Sequence, residues 1–253
     1  MELQIIVFII GMIFGSFLNV LIYRLPNEQS LFKPLGSACP HCAQEIKWVE
    51  NIPVFSYLWL RGKCSSCHER ISITYPTVEI IAGIVAVLLY STHWVNLEFL
   101  LIVTLFYTLI VLSFIDFKFK AVPDYLLIIA VLLTIAVGDI MYVLMFTGGF
   151  ALLELAITFY VQNIKAKITK NKALETQRAM GEGDIPIAGV IGGLLGMHLG
   201  ISAIFLGALF ALLPSIYSML TKKDIETPFI PYLSLGLFVT YMTGFNIFSW
   251  FMY

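Results

Sequence analysis

The sequence predicts an all-α integral membrane protein of about eight transmembrane helices, with a small zinc-ribbon-like subdomain after the first. Three observations predict it. Hydrophobic residues make up 59% of the 253-residue chain and charged residues only 12%, with a net charge of −1. The 15 Lys and Arg residues fall in four groups separated by long apolar blocks. All 4 cysteines lie in the first polar stretch. This composition excludes a water-soluble globule and a disordered chain. It also excludes a nucleic-acid binder, because no basic field is available to hold phosphates.

The basic groups are Arg24 to Arg70, Lys118 with Lys120, Lys165 to Arg178, and Lys222 with Lys223. Between them lie the blocks 1–23, 78–113, 125–160, 185–220 and 227–253. A single helix over any of the three inner blocks would be roughly 54 Å long. The hydrocarbon core is about 30 Å thick. Each inner block therefore holds two crossings and each end block one. Every basic residue then falls on one face, which the positive-inside rule makes cytoplasmic, with both termini outside. Turns are expected near Trp94 and Asn96, at Gly138-Asp139, and at His198. Trp94, Trp250 and Tyr253 fall at outer helix ends, where amphipathic rings favour the interface. No basic residue precedes Arg24, so the first block is expected to be a retained helix and not a signal peptide. Gly11 with Gly15, Gly189 with Gly193, and Gly192, Gly196 and Gly200 have the spacing that lets helices pack closely.

Three parts follow: a first helix over 1–24, a cytoplasmic cysteine subdomain over 25–77, and a seven-helix core over 78–253. The subdomain holds Cys39-Pro-His-Cys42 and Cys64-Ser-Ser-Cys67. Two CxxC pairs supply four thiolates for one tetrahedral ion. A reducing cytoplasm disfavours disulfides. A four-thiolate shell is closed, so the expected Zn2+ is structural. His41 and His68 adjoin the pairs as possible substitute ligands.

The carboxylates are the candidates for chemistry. Asp116 follows the apolar run 105–115, Asp124 follows Pro123, and Asp184 closes Gly181-Glu182-Gly183-Asp184. All three are expected at the cytoplasmic membrane edge. Taken singly, Asp124 and Asp184 read as N-caps and Asp116 as a solvated loop charge. Two glycines before Asp184 allow a close approach of backbone to substrate or to another helix. Two carboxylates on separate helices can share a proton and activate one water. Glu79 and Glu154 lie in or near apolar helices, where an ionised carboxyl needs a partner. The expectation for Glu154 is a neutral carboxyl bonded to a neighbouring helix. Asn19 reads equally as interhelical glue or as a substrate-site residue.

In these features the chain resembles the prepilin peptidases, the bacterial type IV prepilin leader peptidase/N-methyltransferases of the GxGD aspartic type. The likeness spans residues 15–26 (GSFLNVLIYRLP), both cysteine pairs, 51–63 (NIPVFSYLWLRGK), 75–79 (YPTVE), Asp116, Pro123-Asp124, and GEGD at 181–184. The resemblance implies a membrane endopeptidase of the bacterial inner membrane, with its active site facing the cytoplasm. Its substrates would be type IV prepilins or pseudopilins of pilus, type II secretion or DNA-uptake systems. Many members then methylate the new N-terminal amine with S-adenosylmethionine. The catalytic pair maps onto Asp116 and Asp184, with Asp124, Gly181, Gly183, Glu79 and Asn19 supporting. Pro186 stands where the family often has Lys, and Ile230 interrupts a family Pro-Phe-Gly-Pro stretch at 228–231. No Gly-rich nucleotide loop marks a methyl-donor site.

Helix dipoles favour negative charge at a helix N-terminus. Asp184 is thus expected to hold the charge of the pair and act as base, and Asp116, at the end of its helix, to hold the proton. Three alternatives remain: a peptidase without methyl transfer, a transporter, and a membrane scaffold with a structural zinc loop. A transporter needs acids near the bilayer midplane. A scaffold keeps its function when both aspartates become Asn.

Overall fold

A computed structural model describes residues 2–31, 38–39, 41–92, 95–169, 181–220 and 227–250. Trp94, Tyr253 and the basic residues Lys33, Lys170, Lys172, Arg178, Lys222 and Lys223 lie outside the described residues. The helices are α1 (Glu2–Arg24), α2 (Phe55–Trp59), α3 (Thr74–Thr92), α4 (Leu97–Phe119), α5 (Asp124–Val137), α6 (Ile140–Phe159), α7 (Ala166–Thr169), α8 (Asp184–Leu220) and α9 (Ile230–Thr243). Five spans are long and apolar enough to cross a membrane: Glu2–Arg24, Thr74–Thr92, Leu97–Phe119, Ile140–Ile168 and Asp184–Tyr217. The helices group into two compact units, 1–119 and 120–253.

In the first unit, α1 lies against α3 because glycines remove the side chains between them. A Cβ on Gly11 would meet Gly83 Cα at 2.8 Å, and one on Gly15 would meet Glu79 Cα at 2.7 Å. The far side of α1 exposes Ile5, Ile6, Ile9, Ile13 and Phe17, as a lipid-facing surface does. α4 starts on a cap, with Phe99 N–H donating to Asn96 Oδ1 at 2.8 Å. It buries Leu105, Leu109, Leu112 and Ile115. The Tyr107 hydroxyl donates to the Ala82 carbonyl at 3.2 Å, which ties α4 to α3.

In the second unit, α5 ends at Gly138, and Asp139 caps α6 by accepting from Met141 N–H at 2.8 Å. The expected turn is therefore present. α8 breaks at Gly196, which has φ 72° and ψ −169°. Only glycine adopts that region readily. The break lies two residues before the expected His198. A Cβ on Gly200 would meet Gly192 Cα at 3.5 Å, a separation impossible along a straight helix, so the limbs 184–195 and 197–220 fold back on each other. Each inner apolar block thus carries two helical segments, as expected. The turns at Gly138–Asp139 and Gly196 are level: Asp139 N–H donates to the Gly193 carbonyl at 3.0 Å. Past the end of α9, Ile247 N–H donates to Ser202 Oγ at 3.0 Å. α9 packs on the second limb where Gly236 approaches Gly207.

Segment length separates these helices. α5 and α9 have 14 residues each, about 21 Å, and the limb 184–195 is about 18 Å long. The span Ile140–Ile168 has 29 residues, about 43 Å.

Candidate functional site

Asp116 lies in the last turn of α4 and is 8% exposed. Ser113, one turn earlier, is buried with it. Lys118 turns away, with Nζ 5.7 Å from the Tyr23 ring and 5.0 Å from the Phe119 ring. Asp116 is therefore a buried helix residue, contrary to the reading of it as a solvated loop charge.

Asp184 is the first residue of α8 and is also 8% exposed. Its Oδ2 accepts the Gly181 N–H at 3.1 Å. The Asp184 N–H donates back to the Gly181 carbonyl at 3.1 Å. Gly183 is buried, and a Cβ there would meet Ile230 Cδ1 and Val122 Cγ2, each at 2.9 Å. Glu182 is exposed. Ile230 and Val122 were not site candidates from sequence; the only signal was Ile230 interrupting the Pro-rich stretch 228–231. Asp124 opens α5 and is exposed, and Pro123 occupies the cap position. The N-cap reading of Asp124 therefore does not hold.

Glu79 and Asn19 lie at the same end of the first unit. Asn19 Nδ2 donates to the Tyr75 carbonyl at 3.0 Å, joining α1 to α3. Glu79 Oε2 accepts the Val54 N–H at 2.8 Å. Val54 has φ 60°, a rare conformation for a β-branched residue. Glu154 differs from expectation: it accepts from Thr158 Oγ1 at 3.1 Å, one turn along its own helix and not from a neighbour.

The four cysteines converge. Their Sγ atoms lie within 4.8 Å of one another, and neither His41 nor His68 belongs to the cluster. The two pairs have the same local fold. Bridges join Ala38 to Glu45 and Lys63 to Arg70. Cys39 and Cys64 N–H groups donate to Gln44 and Glu69 carbonyls, at 3.0 and 2.9 Å. Ala43 and His68, each just after the second cysteine of its pair, have φ 56° and 59°. These turns aim the sulfurs inward. A tetrahedral ion with bonds of about 2.3 Å requires sulfurs about 3.8 Å apart. Cys39 and Cys67 Sγ are 3.8 Å apart. The N–H groups of Cys67 and Ser66 pull the Cys64 thiol down to about 7. The Glu69 N–H also lowers Cys67, but desolvation and the thiols of Cys42, Cys64 and Cys39 outweigh it and push Cys67 up to about 12. Four sulfurs this close cannot all ionise without a cation among them, so the donor set fits a divalent metal.

Residues 9–93 match the Bacterial Peptidase A24 N-terminal domain, and residues 103–216 match the Type IV leader peptidase family. The chain is 30% identical over 251 residues to a Bacillus subtilis protein named prepilin leader peptidase/N-methyltransferase, covering 98% of this chain and 97% of the relative. A protein of the same name from Vibrio cholerae is 35% identical over 210 residues, covering 75% and 76%. One from Aeromonas hydrophila is 29% identical over 279 residues, covering 98% and 93%. No solved structure matches the chain. On these matches, which run nearly end to end, the chain belongs to the type IV leader peptidase family.

Proposed function

We propose that this chain is a membrane aspartic endopeptidase that removes the leader of type IV prepilins or pseudopilins, with Asp116 and Asp184 as its catalytic dyad. The observation that carries the reading is the burial of both carboxyls, each at 8% exposure, at helix ends of opposite polarity. Asp184, at a helix N-terminus and accepting the Gly181 N–H, is the ionised base. It takes a proton from the attacking water. Asp116, at a helix C-terminus, is the acid. It donates a hydrogen bond to the scissile carbonyl and protonates the leaving amine after the tetrahedral intermediate forms. The pair begins and ends the reaction with one proton, and when the products leave it passes from Asp184 back to Asp116.

Asp184 and Asp124 open short helices whose outer ends are level with the turn at Gly138–Asp139. With the core about 30 Å thick, the N-terminus of the limb 184–195 lies about 12 Å inside the inner boundary. The scissile bond is then drawn below the membrane surface, to the depth of Asp184. A prepilin suits this geometry: its basic leader stays in water while its apolar helix enters the bilayer. The inner membrane, a cytoplasmic active site and outer termini belong to the same reading. So does the division into a first helix, a cysteine subdomain over 25–77 and a core over 78–253.

The cysteine cluster holds zinc in this reading. Four thiolates close the shell, and the ion supplies cross-linking of the two turns and not catalysis. Methylation of the new N-terminus, with S-adenosylmethionine as methyl donor, rests on the relatives' printed names and on no residue of this chain. Incubation of the purified chain with a prepilin in detergent tests both activities by mass spectrometry. Release of the intact leader supports the peptidase; an uncut prepilin overturns it. A methyl group on the mature N-terminus, only when the donor is present, supports the second activity.

A further inference from the structure

The loop between α1 and α3 carries an apolar face that its own fold leaves open. α2 (Phe55–Trp59) sets Phe55, Leu58 and Trp59 at i, i+3 and i+4, on one side of the helix. The Phe55 and Trp59 rings stack with centroids 6.1 Å apart. Tyr57 faces the other way, its hydroxyl 3.0 Å from where a Cβ on Gly62 would stand, so α2 rests on the cysteine subdomain through that side. Phe55, Leu58 and Trp59 are 59%, 68% and 77% exposed, and Trp48, just before, is 82% exposed. An apolar face of this kind on a polar loop marks an interaction site.

Its position identifies the occupant. The Val54 N–H, at the start of α2, donates to Glu79 Oε2 at 2.8 Å. Glu79 lies about 8 Å along α3 from Thr74. α3 has 19 residues, so its length of about 28 Å barely matches the hydrocarbon core. The hydrogen bond therefore holds α2 at the depth of the membrane boundary. Interfacial helices bury an apolar face about 5–10 Å into that boundary. The side chains have the matching chemistry: two Trp rings, with exposed Lys47, Arg61 and Lys63 beside them. We propose that Trp48 and the Phe55–Leu58–Trp59 face form an interfacial anchor, inserted into the anionic headgroup region of the bilayer that α1 and α3 span. The anchor holds the cysteine subdomain flat against that surface through the Tyr57–Gly62 contact.

The test uses the full chain in vesicles of phosphatidylcholine and phosphatidylglycerol, with Trp94 and Trp250 replaced by Phe so that Trp48 and Trp59 report. The expected result is blue-shifted emission, quenched several-fold more by lipids brominated near the headgroup than by aqueous acrylamide. Leu58→Asp should reverse that ratio while zinc content stays unchanged. Acrylamide access equal to that of free tryptophan amide, with no effect of brominated lipid, overturns the proposal. Protection that appears only after a prepilin is added also overturns it, because the face then belongs to a peptide. If Leu58→Asp loses its zinc, the quenching ratio of the unaltered face decides alone.

Discussion

The Gly181 N–H donates to Asp184 Oδ2, and the Asp184 N–H returns a bond to the Gly181 carbonyl, each at 3.1 Å. This closed ring fixes the carboxylate's direction before any substrate arrives. Pre-set geometry of this kind is what an acid–base group needs.

The ring and its wall make the two glycines unequal. At Gly183 a methyl would press on Ile230 and Val122 at 2.9 Å; at Gly181 it would meet Asp184 Oδ2 at 3.2 Å. Gly183→Ala should cost about 1–3 kcal/mol of stability by overpacking and slow leader cleavage by displacing the Asp184 carboxylate from its set direction. Gly181→Ala should be milder. Adding Ile230→Ala to Gly183→Ala should recover part of the loss. Cleavage rates and thermal melts of the three variants check this; equal losses at both glycines would contradict it.

Glu79 secures the Val54 turn. Glu79→Ala removes the acceptor of a part-buried N–H and should cost about 1–3 kcal/mol. Glu79→Gln keeps an acceptor oxygen and should cost less. Limited proteolysis in detergent reads the difference: faster cutting between residues 48 and 60 in the Ala variant, with the spanning helices intact. Identical digestion of both variants would remove this role.

The cysteine subdomain has almost no apolar core, since of its described residues before α3 only Cys39 is buried. Metal binding must then supply its folding free energy. One zinc per chain is expected by elemental analysis. Chelation, or Cys67→Ser, should expose residues 38–73 to protease. An ordered, protease-resistant loop in the metal-free chain would contradict this.

Gly196 turns the chain at φ 72°. Gly196→Ala should destabilise the second unit by about 1–3 kcal/mol, read as a lower melting temperature in detergent. An unchanged melt would mean that the two limbs can reconnect another way.

Legibility followed locality. The cysteine cluster could be read because each CxxC pair forms its own turn; the positive φ at Ala43 and His68 could not, since neither residue is glycine. The paired segments in each apolar block followed from bilayer thickness. Their unequal lengths did not, because hydropathy continues across the turns at Val137–Ile140 and Gly196. The aspartates stood out by motif, but their burial came only with packing. The Val54–Glu79 bond spans 25 residues and leaves no periodic trace. For Glu154 the sequence points to a partner on another helix, because a threonine one turn away is so common a neighbour that it signals nothing.

The most direct measurement is leader release from a prepilin by wild type, Asp116→Asn, Asp184→Asn and the double variant, at matched zinc content and melting temperature. The account predicts that each single variant loses about 10²–10⁴-fold or more, and that the double variant loses no more than either single, as residues acting as one unit do. Near wild-type cleavage by either single variant would contradict it.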